Sequence, residues 1–490
     1  MSRARRRLKR LAALWCIAAA VVSAAPAHPE STPSARPSRE AIAMKAPQPK
    51  PIDYEKIKQE AIELLSKYIQ INTTNPPGNE IGAAKFLKEK FLADGIPATT
   101  WEPAPGRGIV AARLHGIGKH RKALLLLSHM DVVPADPRDW KVPPFSGEIR
   151  DGAVWGRGAI DDKGPGVVFL MSMLAIKRAG ILLDRDVVFV ATGDEEEGGR
   201  YGAGWFVDHQ QSVYSDTGYV LNEGGGIGFE GSDRKVYYSV SVTEKTPLWL
   251  RVTATGPGGH ASAPPAETAV TRLVAALQRL LDYRPPIRII GPVEDEYRAK
   301  AQLSHGPKQW LDLVSSLKDP AYQRQFVSDP HQNADVRDTF TPTVLQASNK
   351  TNVISATASA EIDCRLLPGS DPKAVLGTIS KVLNDKSLKI DVILNFPPVS
   401  SPQKSELMNA IQSLAKHSDR GAPVVPTMSV GFTDSHYFRQ KGITAYGFVP
   451  IAVSAEERKG IHGINERIGI DELGAGIKRM VELLKILGGR

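Results

Sequence analysis

The sequence predicts an α/β fold with a smaller α+β domain inserted into it. Three observations lead there. Unbroken apolar runs at 123–127, 187–191 and 219–221 have the make-up of strands buried on both faces. Segments with apolar residues at helical spacing lie between these runs, the order expected of a mixed, largely parallel sheet. From Pro247 the texture changes to strand, helix, strand, helix, and after about Asn395 the first texture resumes.

Each element follows from its own pattern. Ile57, Ala61, Leu64, Leu65, Tyr68 and Ile69 form a helical stripe, which the Asn75-Pro76-Pro77-Gly78 turn closes off. A second helix is expected over 82–92 and a third over 164–179. Residues 248–254 read as a strand, 268–281 as a helix, and 285–340 as a polar, helical insertion. Alternation over 356–364 predicts a half-buried strand, and 372–383 a helix. Leu473, Ile477, Met480, Val481 and Leu484 share one stripe of a C-terminal helix. The expected boundaries are a signal peptide at 1–27, a linker rich in Pro, Ser and Ala at 28–51, a main domain at 52–246 and 367–490, and the inserted domain at 247–366.

The chain has 490 residues, enough for two or three domains, and its 42% hydrophobic and 23% charged residues are those of a globular protein. The formal charge of +9 is concentrated at the start: Arg3, Arg5, Arg6, Arg7, Lys9 and Arg10 precede residue 28 with no acid among them. Nine less six leaves +3, so charge supplies no argument for a nucleic-acid partner. The same basic start, an apolar run over 11–25 and Ala25-Pro26-Ala27 read as an export signal, which implies a periplasmic or secreted protein. The run is short for a transmembrane helix, so no stable membrane span is expected after processing, although an uncleaved anchor is the other reading. Cleavage would leave Cys364 as the single cysteine.

Chemistry gathers at the ends of the predicted strands. His129 and Asp131 follow the first run, at the edge where open α/β sheets bind ligands. Asp161-Asp162 precede a helix and read either as cation ligands or as acidic capping. Asp194, Glu195, Glu196 and Glu197 follow the second run and repel one another unless a cation or solvent relieves them. Glu223 follows the third, and His462 and Glu466 stand far down the chain. Two histidines and several carboxylates suit a pair of borderline cations such as zinc.

The motifs SHMDVVP, GRGAIDDKG, GDEEEGG, LNEGGG, GPGGHASAPP, TNVIS and IHGINERI occur in that order. In this the chain resembles the two-zinc metallopeptidase family that contains aminoacylase, glutamate carboxypeptidase and succinyl-diaminopimelate desuccinylase, over residues 54–487. It is most similar to the carboxypeptidase S branch, through PPFSG at 143–147, the double Asp, LNEGGG, the long insertion and Ser401-Pro402. Ser355 departs from the family's usual Pro, and Asn222 from the branch's frequent Asp.

The resemblance implies a zinc-dependent exopeptidase-like catalytic domain and an inserted lid or dimerisation domain. It implies two zinc ions per chain, with cobalt or manganese as substitutes. His129 and Glu223 would hold one ion, Glu196 and His462 the other, and Asp161 would bridge them across a cis Asp161–Asp162 bond. Glu195 would be the general base and Asp131 would orient His129. His260 would stabilise the oxyanion, and Asn352, Arg365, Gly431 and Thr433 would contact substrate. The implied reaction is hydrolysis of the amide next to a free C-terminal carboxylate, in a peptide or an N-acyl amino acid. A homodimer through the lid is admitted. The rival reading is a non-catalytic binding protein on the same fold.

Overall fold

The computed structural model describes residues 48–118, 121–230, 234–304, 306–419 and 421–489. The expected signal peptide, and the linker up to residue 47, lie outside the described residues. Helix α1 (Tyr54–Gln70) begins where the Asp53 carboxylate accepts from the Lys56 amide, and it buries the predicted stripe. Helix α2 (Ile81–Ala93) follows, then strands β1 (Ala98–Trp101), β2 (Ile109–Leu114) and β3 (Ala123–His129). All seven residues of β3 are buried, because it lies mid-sheet with packing on both faces. Helices α1 and α3 (Lys163–Ala179) contribute to the core on one face, while Phe206, Tyr214 and Phe438 pack on the other. That double burial is why the sequence shows unbroken apolar runs here instead of alternation.

A hairpin of β4 (Ile149–Arg150) and β5 (Ala153–Trp155) precedes α3. The main sheet continues through β6 (Val187–Thr192), β7 (Thr217–Asn222), β8 (Gly226–Glu230) and β9 (Lys235–Glu244). Strand β3 pairs in parallel with both β6 and β7, with His129 opposite Thr192 and Leu126 opposite Leu221. This register delivers His129, the 194–197 loop and Glu223 to one edge of the sheet.

Only Lys245 separates β9 from β10 (Thr246–Thr255), which belongs to a second sheet. That sheet also holds β12 (Thr339–Gln346), β14 (Thr357–Leu366) and β15 (Lys389–Asn395), in the order β12-β14-β10-β15. Between them come the two-residue strands β11 (Gly259–His260) and β13 (Val353–Ile354), which pair with each other. Helices α4 (Ala269–Asp282) and α6 (Pro372–Leu383) pack together and share its core through Leu273, Leu277, Ile379 and Leu383.

The expected boundary at residue 366 is therefore corrected. Strand β10 has two edges, β14 takes one and β15 the other, so a division after Leu366 would cut the sheet. The inserted unit ends near Asn395. The insertion within it also departs from expectation. Its helix α5 (Gly291–Ser304) lies against the main sheet, on β16 (Val424–Ser429), and joins a core of Tyr297, Phe326, Val336 and Met428.

The chain closes with α7 (Glu406–Ser418), α8 (Ser435–Gln440), β17 (Thr444–Gly447), β18 (Arg467–Gly469) and α9 (Ile470–Leu487). Strand β17 pairs in parallel with β7, and β18 pairs with β5. The second pairing brings the 461–466 loop against the loop that carries Asp161. No helix of the described residues is long and apolar enough to cross a membrane.

Candidate metal centre

Six side chains predicted from five separate motifs converge at the strand edge. Asp161 stands between two imidazoles: its Oδ1 lies 2.9 Å from His129 Nε2 and its Oδ2 3.2 Å from His462 Nε2. Glu223 Oε1 is 3.7 Å from His129 Nε2, and Glu196 Oε2 is 3.1 Å from His462 Nε2. Ligand atoms of His129, Glu195 and Glu223 all lie within 4.8 Å of one another, as do those of His129, Asp161 and Glu196. The Asp161–Asp162 peptide bond is cis, as the resemblance implies.

Electrostatics shows what this cluster wants. Burial raises the pKa of Glu195 and Glu223 well above the usual carboxylate range, and that of Glu196 as well, with neighbouring carboxylates adding to each. Burial opposes charge on His129, yet hydrogen bonds to Asp131 and Asp161 hold its pKa well above the ordinary value. His462 is pushed up to about 10 by hydrogen bonds to Asp161 and Glu196. A site that draws protons onto two imidazoles is short of positive charge, and divalent cations supply it. The Glu196 Oε1 atom is buried without a hydrogen-bond partner among the described residues, an acceptor that a cation would satisfy. Two nitrogens and four carboxylates within this reach fit a pair of ions.

A family model described as peptidase family M20/M25/M40 matches residues 125–486. The chain belongs to this peptidase family. An N-fatty-acyl-amino acid synthase/hydrolase (PM20D1) from Xenopus tropicalis is 33% identical over 74% of this chain and 72% of its own length. A probable carboxypeptidase S-like protein from Dictyostelium discoideum is 31% identical over 79% of this chain and 73% of its own. The crystal structure of an M20 family metallo-carboxypeptidase from Sulfolobus solfataricus superposes with a TM-score of 0.68. It covers 88% of this chain and 99% of that one at 22% identity, and at that identity the likeness speaks for the fold.

In this M20-family chain the support of the cluster reaches beyond what the sequence suggested. Asp131 was expected to orient His129; its backbone carbonyl oxygen lies 3.0 Å from His129 Nδ1 and its Oδ1 3.5 Å. It does more. Its carboxylate accepts from the amides of Glu195 and Glu196 at 3.1 and 3.2 Å and from Asn75 Nδ2 at 2.8 Å, so it also fixes the turn that presents both glutamates. Burial opposes charge on Asp131, and the bonds from His129, Asn75 and that turn outweigh it. Arg107 joins this network, donating to Asn75 Oδ1 and pairing with Glu80 and Asp194. No motif marked Arg107 or Glu80.

Glu466, quoted in a motif without a role, clamps the Asp161 loop. One of its oxygens accepts from the amides of Ile160 and Asp161, and the other accepts from the Gly158 amide and from Arg157 Nη1 at 2.7 Å. Arg157 also donates to the carbonyls of Gly460 and Gly463. The pair thereby ties the loop of His462 to the loop of Asp161.

The expected substrate residues lie apart from this cluster. His260 is exposed on the β11–β13 ribbon, where the Ala261 amide donates to the Asn352 carbonyl. Among the described residues neither His260 nor Asn352 hydrogen-bonds to the metal ligands. Arg365 pairs with Asp363 at 2.7 Å, two residues along the same strand face, and its guanidinium stands 4.9 Å from the Phe432 ring. Gly431 is half-buried before it. Thr433, expected to face substrate, instead turns inward. It is buried, and its hydroxyl donates to Glu244 at 2.9 Å. Glu244 in turn pairs with Arg439, so Thr433 braces the loop while Phe432 is the side chain presented to Arg365.

Proposed function

We propose that the chain is a dinuclear zinc hydrolase that cuts the amide next to a free carboxylate, releasing an amino acid from an N-acyl amino acid or peptide. The carrying observation is Asp161, whose two oxygens face two imidazoles, each with a second carboxylate beside it. His129 and Glu223 would hold one ion, Glu196 and His462 the other, and Asp161 both. When bound, such ions polarise the scissile carbonyl and acidify the attacking water.

The chain's own residues do the rest. Glu195, 6% exposed and held through its amide by Asp131, accepts the proton of the attacking water. It then delivers that proton to the nitrogen of the departing amino acid. Arg365 offers a planar pair of donors to the substrate carboxylate. His260 and Asn352, together on one ribbon, would reach the developing oxyanion when the inserted domain closes. The relatives' printed names, an N-fatty-acyl-amino acid hydrolase and a carboxypeptidase S-like protein, support the same bond type.

The deciding experiment is hydrolysis of a panel of N-acyl amino acids and dipeptides by the purified chain, with and without chelation and zinc repletion. Activity that survives complete removal of metal would sink the dinuclear reading, and absence of any amide hydrolysis would favour the binding-protein rival. For location, the basic and apolar start of the chain supports export with cleavage after Ala27. N-terminal sequencing of exported protein tests it, with His28 expected as the first residue.

A further inference from the structure

Asn75, 1% exposed, sits in the turn between α1 and α2, with a guanidinium on one side of its amide and a carboxylate on the other. Arg107, from the loop between β1 and β2, donates Nη2 to Asn75 Oδ1 at 2.9 Å. Asn75 Nδ2 donates to Asp131 Oδ2 at 2.8 Å and stands 3.4 Å from Asp194 Oδ1. A side-chain amide accepts at one end and donates at the other, a guanidinium only donates, and an ionised carboxylate only accepts. One orientation of Asn75 therefore satisfies both neighbours. Turned over, it would set N–H against N–H and oxygen against oxygen, and buried polar groups left unmatched in this way are costly.

We infer that Arg107 is a positioning residue of the candidate metal centre: it fixes which way the Asn75 amide faces, and through Asn75 it holds the Asp131 carboxylate in place behind His129, Glu195 and Glu196. This deepens the hydrolase reading and rests on it for the roles of those three residues. Asp131 Oδ1 accepts from the Glu195 amide at 3.1 Å and lies 3.5 Å from His129 Nδ1, while Oδ2 accepts from the Glu196 amide at 3.2 Å and from Asn75. Two of these contacts are to the turn that Asp131 has to hold, and a third is to its near neighbour in the chain. Asn75 comes from a separate segment, so it ties the carboxylate to something outside the end of β3 and the 194–197 turn. Arg107 is anchored in its turn from the far side. Its Nη1 donates to Glu80, a residue with no exposure, at 2.8 Å, and its Nη2 pairs with Asp194 at 3.1 Å. A planar fork can meet Glu80, Asn75 and Asp194 together, as the single ammonium of a lysine cannot. Gly78 leaves room for it, since a Cβ there would lie 1.8 Å from Arg107 Nη1. Neither Arg107 nor Asn75 is a candidate ligand, so their effect is on the placing of the groups that are.

Zinc affinity, by competition with a chromophoric chelator, is measured in Arg107→Lys, in Asn75→Leu and in the double variant. So are kcat and KM, on whichever N-acyl amino acid or dipeptide the wild type hydrolyses. Arg107→Lys keeps the positive charge beside Glu80 and Asp194 and gives up the fork. Partners that hold metal ligands from behind are worth about 10–100-fold in metal affinity or activity, so each single variant should lose about tenfold or more in zinc affinity and in kcat, with KM within about threefold of wild type. The double variant should lose no more than about twice what Asn75→Leu loses alone, because the link is already cut. Losses that multiply in the double variant would give Arg107 another route and overturn the relay. Zinc affinity and kcat unchanged in folded Arg107→Lys would overturn it as well, whatever the unfolding temperature. If Arg107→Lys does not fold, Asn75→Leu decides, and wild-type zinc affinity and kcat in that variant overturn the relay. The zinc series needs no turnover. A wild type that binds zinc and cuts no amide rejects the hydrolase reading, while the relay still stands or falls on the zinc affinities.

Discussion

At Glu195, burial and the nearby Glu223 both favour the protonated carboxyl, which suits a group that must take up a proton and pass it on. Glu195→Gln keeps the size of the side chain and leaves in place the hydrogen bond that the residue's backbone amide donates to Asp131. Its expected cost is about 10²–10⁴ in kcat, with zinc content and fold unchanged. A variant within tenfold of wild type would assign the proton to another group. Arg365 makes the complementary prediction. Converting the substrate carboxylate to an amide should lower kcat/KM sharply in wild type and hardly at all in Arg365→Ala, because the partner is already gone. The Asp363 carboxylate at 2.7 Å already occupies part of that guanidinium, so a substrate must compete with it or share it.

Among the elements, the two loops that carry Asp161 and His462 have no regular structure of their own at the site. Their shape comes from the buried Arg157–Glu466 pair and from the five backbone donors and acceptors it satisfies on both sides. Breaking one member of such a pair strands the other charge in the interior, at about 3–5 kcal/mol. Glu466→Gln should therefore lower the unfolding temperature. It should also weaken zinc binding, measured by competition with a chromophoric chelator, although Glu466 itself is no ligand. Unchanged zinc affinity with lowered stability would confine Glu466 to structure. Strand β3 meets a different demand, since its apolar side chains must fill both faces. Leu126→Ala, at a site with no exposure, should cost about 2–5 kcal/mol by denaturant unfolding.

For the whole molecule, the candidate metal ligands belong to the main domain, whereas Arg365, Asn352 and His260 belong to the inserted one. The crossing points are short. Lys245 carries the chain over, with its Nζ donating to the Ala334 and Arg337 carbonyls, and the return ends where the Ser401 amide donates to Val242. Few residues can absorb the rotation needed to bring His260 to the cluster, the arrangement of a hinge. A non-hydrolysable N-acyl amino acid should reduce the radius of gyration seen by solution X-ray scattering, and should fail to do so in Arg365→Ala. If a second subunit supplies His260, mixed His260→Ala and Glu195→Gln chains should regain activity on exchange. Failure to complement despite exchange would place the histidine within each chain.

The sequence by itself determined the α/β class, the strands and the candidate ligand set, because each is a local signal. Double-faced burial writes an unbroken apolar run, and the side chains that ligate a borderline cation come from a short list of types, His, Asp and Glu among them, whatever surrounds them. His129, Asp161, Glu196, Glu223 and His462 were legible one motif at a time, and the structure brings them together. Only the tertiary structure decided what depends on which segments meet. The end of the inserted domain at Asn395, not 366, follows from β15 taking the second edge of β10, and edge pairing leaves no mark in either strand alone. The inward turn of Thr433, the reach of Arg107 to Asn75 and the clamp of Glu466 on Asp161 are contacts between residues far apart in the chain. A buried hydrogen bond between distant residues obeys no spacing rule, so its partners become visible only once the sheet has set them side by side.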